Sequence, residues 1–372
     1  MRKSPCAEGL EPYDPKFIAA STLLSANENP ADAPARVRGA ALDRLARTPF
    51  NRYPDPACTE LRGLIAENIY RLVLPTLPDT SWDELGNPAI DASSVVVGNG
   101  GDELLANLFL AFGGPGNTVL LSPPSFSVYD IDARLTYTDV ANVPRRPDFT
   151  IDEKAILEQA GRDDINIVVL TSPNNPTGDC VRPEFVEELL DATNALVVVD
   201  EAYGEFAART CIPLVDKYDN LCVLRTFSKA YALAGVRLGY VVASRPVAGM
   251  LLAVRQPYSV DVLAQAVGAE VCHNVEAFRP GILEILRNRE DLIRKLSAIC
   301  GLEVFPTCSN FAMVRMKGAD TVWRAMVEED GVLVRNLCSQ KGLENCLRIT
   351  VGTTEENEAV LASLAANIVK GF

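Results

Sequence analysis

One lysine of this 372-residue chain stands out by its company. In "RTFSKAYALAGVRLGY", residues 225–240, Lys229 follows Thr226, Phe227 and Ser228, and Arg237 comes eight positions later. An amine forms bonds with carbonyl compounds when burial or neighbouring cations hold it near its neutral state. Without such neighbours it is an ordinary exposed lysine. "ALVVVDEAY" ends an apolar run on Asp200. A carboxylate buried there needs a cation or strong donors, unless it merely caps the next helix. "VVVGNGGDELLANLFLAF" reads as strand, glycine turn and helix, which aims free N–H groups and a helix dipole at an anion, commonly a phosphate. Glu103 stands where a G-x-G-x-x-G loop needs glycine, and the Gly-Lys-Ser/Thr of a P-loop is missing. A plain tight turn accounts for that stretch equally well. "TSPNNPTG" leaves a strand with two asparagines, a proline and a glycine, a composition that a reverse turn also explains.

The elements that carry these residues show in the hydrophobic pattern. From residue 93 onward, "SSVVVG", "NTVLLSPP", "INIVVLTSPNNPTG", "ALVVVDEAY", "LCVLRTFSK" and "LGYVVAS" alternate with helical stretches. Continuous apolar runs predict strands buried on both faces, in a mostly parallel sheet covered by helices. Open α/β sheets bind ligands beyond the carboxyl ends of their strands, where these runs turn polar. After about residue 259 the pattern changes. Ile282, Ile285, Leu286, Leu292, Ile293 and Leu296 share one helical face, while "NFAMVRM" and "CLRITVG" predict strands of a separate small sheet. The expected division is a large domain over 46–259 and a smaller α+β domain from 1–45 and 260–372.

Length and 48% apolar content supply a large core. Thirty-five basic against 49 acidic residues give a net charge of −14, and no cluster of Lys and Arg could follow a phosphate backbone, so nucleic acid is not an expected partner. No stretch approaches the 18 or so apolar residues of a membrane span, and the start lacks the apolar core of a signal peptide. The ten cysteines never form C-x-x-C and read as small buried apolar residues of a reduced, cytoplasmic compartment. The single histidine, His273, argues against multi-histidine zinc sites and Ser-His-Asp chemistry. Its position in a helical pattern predicts a packing role.

In this order the pieces resemble the fold-type I pyridoxal-phosphate aminotransferases of class I/II, an α/β fold with a seven-stranded sheet in its large domain. The resemblance implies that Lys229 forms the Schiff base with pyridoxal 5'-phosphate and is the general base. It implies that Asp200 pairs with the pyridinium nitrogen and that Asn175 and Tyr203 meet the phenolic oxygen. The phosphate would lie on the backbone around Gly101 and Asp102, with Ser228 and Arg237 as side-chain partners. Phe126, in "PPSFSVY", stands where many relatives stack a tyrosine on the ring; the stacking survives and the hydroxyl does not.

"LLSANENP", "NRYPDP", "GVLVRN" and "LRITVGT" bring the chain, over roughly residues 10 to 365, near the histidinol-phosphate aminotransferase branch. That branch implies a homodimer in which Tyr53 reaches the neighbouring cofactor phosphate. It also implies exchange of an amino group between L-histidinol phosphate and 2-oxoglutarate, yielding imidazole acetol phosphate and glutamate, within histidine biosynthesis. One pocket taking such dianions in turn is served by two arginines, Arg348 and Arg335, whose forks bind carboxylate or phosphate in a bidentate manner. A surface ion pair is the plainer reading of either. Tyr13, in "EPYDPK", matches a tyrosine near the substrate phosphate. Similar motifs occur in aromatic amino-acid aminotransferases and threonine-phosphate decarboxylase. A non-catalytic homologue that binds the cofactor and a Rossmann-like nucleotide binder are the readings from other classes.

Overall fold

The computed structural model describes residues 4–7, 18–76 and 89–371; Tyr13 lies outside the described residues. Its larger sheet has seven strands: β2 (Val95–Gly98), β3 (Thr118–Leu121), β4 (Asp139–Asn142), β5 (Ile165–Thr171), β6 (Leu196–Asp200), β7 (Leu221–Thr226) and β8 (Gly239–Ala243). Their order is β2-β8-β7-β6-β5-β3-β4. All neighbours are parallel except β2/β8 and β8/β7. The apolar runs become strands for a physical reason: alternate residues are buried against opposite helical layers. In β6, Val197 and Val199 enter one core cluster while Leu196 and Val198 enter the other. β4 is the strand that the sequence pattern does not reveal. It is a partly exposed edge, "DVAN", and its pairing with β3 rather than an apolar run defines it.

A second sheet has the order β1-β11-β12-β10-β9, formed by Thr22–Leu24, Val332–Asn336, Cys346–Thr350, Phe311–Arg315 and Glu303–Val304 respectively. "NFAMVRM" and "CLRITVG" are β10 and β12, paired antiparallel. β1 lies parallel to β11, so a segment more than 300 residues distant in sequence completes this sheet. The helix Arg279–Leu296 buries Ile282, Ile285, Leu292 and Leu296, with Leu286 and Ile293 partly covered. Among the described residues no helix is long and apolar enough to cross a membrane.

Two expectations are corrected. His273 is exposed at the carboxyl end of the helix Val262–His273, so it does not pack in the core. Of the cysteines, Cys58, Cys211, Cys222, Cys272 and Cys346 are buried, but Cys300 is exposed and Cys6, Cys180, Cys308 and Cys338 are half-buried. Thiol burial depends on what packs across it, which composition does not encode.

Beneath the larger sheet's site edge sits a charged cluster with no exposure. Arg225 of β7 donates to Glu201 at 2.5 Å and to Glu205 at 3.1 Å, and Glu201 also accepts from Thr210 Oγ1 and the Cys211 N–H. Removing one partner from such a cluster strands a buried charge.

Asp132, in the helix Val128–Leu135, is buried and its carboxyl is pushed up to about 7, first by desolvation and then by the charge of Asp102. Its folded pKa lies above the ordinary value near 4, so it lowers stability progressively as pH rises from about 4 to about 7. Asp132→Asn should therefore stabilise the protein at pH 8 by about 1–3 kcal/mol. The gain should vanish near pH 4, as read from urea melts at both pH values.

Candidate active site

The carboxyl edge of the larger sheet and the second sheet enclose a cavity of about 440 Å³. Lys229, Asp200, Asn175 and Tyr203 line it; so do Gly101, Asp102, Phe126, Ser228 and Arg237, and from the second sheet Arg335 and Arg348. Register accounts for much of this gathering. Thr171 pairs with Asp200, and Asp200 with Leu224, so the ends of β5, β6 and β7 stand side by side.

One wall has a geometry that can receive an anion. The helix Gly100–Phe112 begins directly after β2 and presents Gly101 and Asp102 at its positive end. Close backbone approach requires glycine here. A Cβ on Gly100, whose φ is +78°, would lie 2.6 Å from Arg237 Nη2, and one on Gly239 would lie 2.8 Å from the Gly100 carbonyl carbon. Arg237, itself at φ 55°, reaches Asp102 at 3.1 Å. Both side chains are about half exposed, so the pair contributes little to stability. Its weight is positional, since it holds a guanidinium beside the amides.

Deeper in, Asp200 is 4% exposed. Its Oδ2 accepts from Tyr129 OH at 2.6 Å and its Oδ1 from the Ala202 N–H at 3.0 Å. Desolvation raises its pKa, opposed by those two donors. Lys229 lies across the cavity, its Nζ donating to the Ala26 carbonyl at 3.0 Å. Burial first, then Arg348 and Arg237, bring its pKa down to about 8. This is the condition under which an amine acts as nucleophile or base near neutral pH.

The opposite wall is cationic. Arg335 and Arg348 are directly paired across β11 and β12, and like charges in that register repel unless an anion lies between them. Arg348 is 7% exposed, donates to Asn175 Oδ1 and to the Ser25 carbonyl at 2.7 Å, and its guanidinium lies 5.3 Å from the Phe311 ring centroid. Tyr203 OH accepts from Asn27 Nδ2 at 3.0 Å. Tyr53 does not line this cavity. It is 81% exposed and stacks on Tyr258 with ring centroids 4.5 Å apart.

Two contributors were not singled out from sequence. Asn27 joins Thr350, Asn310 and Tyr203, and Tyr129 holds Asp200 and Thr171. Both sit inside motifs quoted above, "NENP" and "PPSFSVY". What the motif does not reveal is that their polar atoms turn inward.

The family model for aminotransferase class I and II matches residues 20–364. A histidinol-phosphate aminotransferase of Chlorobaculum tepidum is 36% identical over 363 residues, 97% of this chain and 99% of that one. Histidinol-phosphate aminotransferase 1 of Carboxydothermus hydrogenoformans is 39% identical over 356 residues, 95% of each chain. The crystal structure of histidinol-phosphate aminotransferase from Sinorhizobium meliloti in complex with pyridoxal-5'-phosphate superposes with a TM-score of 0.85 at 24% identity, covering 99% of this chain and 98% of that one.

Tyr129→Phe deletes one of the two donors that oppose the upward shift of the Asp200 carboxyl. The loss should raise the ionisation midpoint of Asp200 by the equivalent of about 1.5–3 kcal/mol, the usual worth of a hydrogen bond to a charged group. Carboxyl-stretch difference infrared spectra recorded across pH would read it, and a midpoint equal to wild type would show that Ala202 alone suffices.

Proposed function

This chain belongs to the class I and II aminotransferases, and we propose that it transfers an amino group between L-histidinol phosphate and 2-oxoglutarate with bound pyridoxal phosphate, in histidine biosynthesis. The observation that carries the substrate reading is the Arg335–Arg348 pair facing the cavity of Lys229 and Asp200. It offers one anion clamp that a phosphate and a carboxylate can use in turn.

The residues present fit the cofactor. The helix amino terminus at Gly101 and Asp102, with Ser228 and Arg237, suits its phosphate. Asp200 is a buried acceptor suited to a ring N–H, and Asn175 and Tyr203 offer polar atoms for its phenolic oxygen. Phe126 supplies an apolar ring on the cavity wall, held edge-on to Tyr129 at 5.7 Å.

When bound, pyridoxal phosphate supplies an electron sink that lets the substrate Cα lose a proton. Asp200, oriented by its two donors, would be the acceptor that keeps the ring nitrogen protonated. Lys229 would hold the cofactor through its Nζ and, with that nitrogen free, would take the substrate Cα proton as general base. Its depressed pKa keeps a usable neutral fraction at physiological pH. Arg348 and Arg335 fix the far anionic end of the substrate, so the Cα–H faces Lys229.

We infer a homodimer in the cytoplasm. Tyr53, Phe50 and Leu42 are exposed large apolar side chains, a surface more usual at an interface than in water. In a dimer Tyr53 would reach the second copy's cofactor phosphate. Half-buried and exposed free thiols accord with a reduced compartment.

The decisive experiment mixes the cofactor-loaded protein with histidinol phosphate alone and follows the visible absorption of the cofactor. Rapid loss of that band, much faster than with phenylalanine or threonine phosphate, is expected. A silent band would remove the substrate reading and leave the family intact. Lys229→Ala should retain the fold by circular dichroism and lose turnover by at least 10³-fold, in line with the loss of a nucleophile and general base; wild-type turnover in that variant would remove the mechanism.

A further inference from the structure

Cys180 and Cys308 lie far apart in sequence and in contact in space. Cys180 is in the loop between β5 and the helix Pro183–Ala192, five residues beyond Asn175. Cys308 is in the loop that leads into β10, two residues before the buried Asn310. The two loops are pressed together: the Cys308 N–H donates to the Gly178 carbonyl at 2.8 Å, and a Cβ on Gly178 would lie 2.3 Å from Thr307 Oγ1. The side chains of Cys180 and Cys308 are close enough to interact directly. Both are half-buried rather than sealed in the core.

The charges around the pair are unequal. The charges of Arg289 and Arg209 act on Cys308, and that of Asp179 opposes them. Arg289 is fixed there by bonds to the carbonyls of Phe206 and Ser309. The Cys180 S–H foremost, and then the two arginines, pull the Cys308 thiol below its ordinary range against the opposing effect of burial. Contact with Cys308 and burial push Cys180 up. Cys308 is thus the half-buried sulfur with a fixed guanidinium beside its loop, and Cys180 lies next to it. This is the arrangement of an attacking and a resolving thiol.

We propose that Cys180 and Cys308 form a thiol–disulfide exchange site for small disulfides of the glutathione class, with Cys308 attacking and Cys180 resolving. In the first step the Cys308 thiolate bonds to one sulfur of the small disulfide, whose S–S bond breaks and releases one thiolate. In the second, Cys180 loses its proton to water and its thiolate bonds to Cys308 Sγ, expelling the second small thiolate. Two protein thiols are oxidised and one small disulfide is reduced to two thiols. The product ties the loop that carries Asn175 to the loop before β10, hence the larger sheet to the second sheet beside the cavity. It is reversible by a dithiol. None of the residues proposed for transamination takes part, so the site stands or falls apart from that reading.

The test incubates the cofactor-loaded protein with oxidised glutathione and maps its thiols by mass spectrometry. Expected is paired loss of both thiols, a Cys180–Cys308 linked peptide that dithiothreitol reverses, and slower modification of the exposed Cys300. Cys180→Ser should stop at a glutathionyl group on Cys308. Cys308→Ser should slow modification of the pair at least tenfold, with native circular dichroism in both variants. Faster reaction at Cys300, absence of the linked peptide, or a Cys308→Ser variant that reacts at the wild-type rate would overturn the proposal.

Discussion

The site depends on one carboxylate placed where water does not reach it. Asp200 ends a strand with no exposed residue, and desolvation alone would favour its neutral form. Tyr129 and the Ala202 N–H oppose that tendency. Both follow from the larger sheet: Ala202 from the turn after β6, and Tyr129 from the helix that follows β3, its hydroxyl also meeting Thr171 at the end of β5. The parallel sheet is thus more than a scaffold, since it brings the ends of β5, β6 and β7 into one row and lets each contribute a different chemical group.

A second requirement is that an amine and several guanidiniums share one small cavity. Burial first, and then the cations close by, depress the proton affinity of Lys229. The segment from Ser25 to Asn29 holds them in place. Ser25 O accepts from Arg348, Ala26 O from Lys229, and Asn27 Nδ2 donates to Tyr203, while Asn29 donates to the Lys229 carbonyl. These carbonyls give Lys229 and Arg348 hydrogen-bond partners that carry no full negative charge. The same segment bonds to residues of both sheets and closes the wall between them.

The buried Arg225–Glu201–Glu205 cluster plays a different part. It lies on the strand that leads to Lys229, and Gly204 packs so tightly on it that a Cβ would come within 2.5 Å of Arg225 Nη1. Burial pushes the Glu205 carboxyl up to about 7, against the pull of Arg225. A cluster of this kind adds little net stability compared with apolar packing, but it tolerates few alternative arrangements of the chain around it.

The sequence by itself determined the apolar strand runs and the motif positions of Lys229, Asp200, Asn175 and Arg237, which line one cavity, because local apolar runs and turn chemistry are written along the chain. It also carried the likeness to aminotransferases in the order of those motifs. It did not reveal β4, whose identity rests on pairing, nor the exposure of His273, nor the half-burial of Cys180 and Cys308. Only the tertiary structure decided that Arg335 and Arg348 stand opposite each other, that Tyr129 and Asn27 turn inward, and that two cysteines 128 positions apart in sequence meet. These are facts of register and burial, set by how distant strands pair and how loops press together. No local stretch of sequence contains both partners.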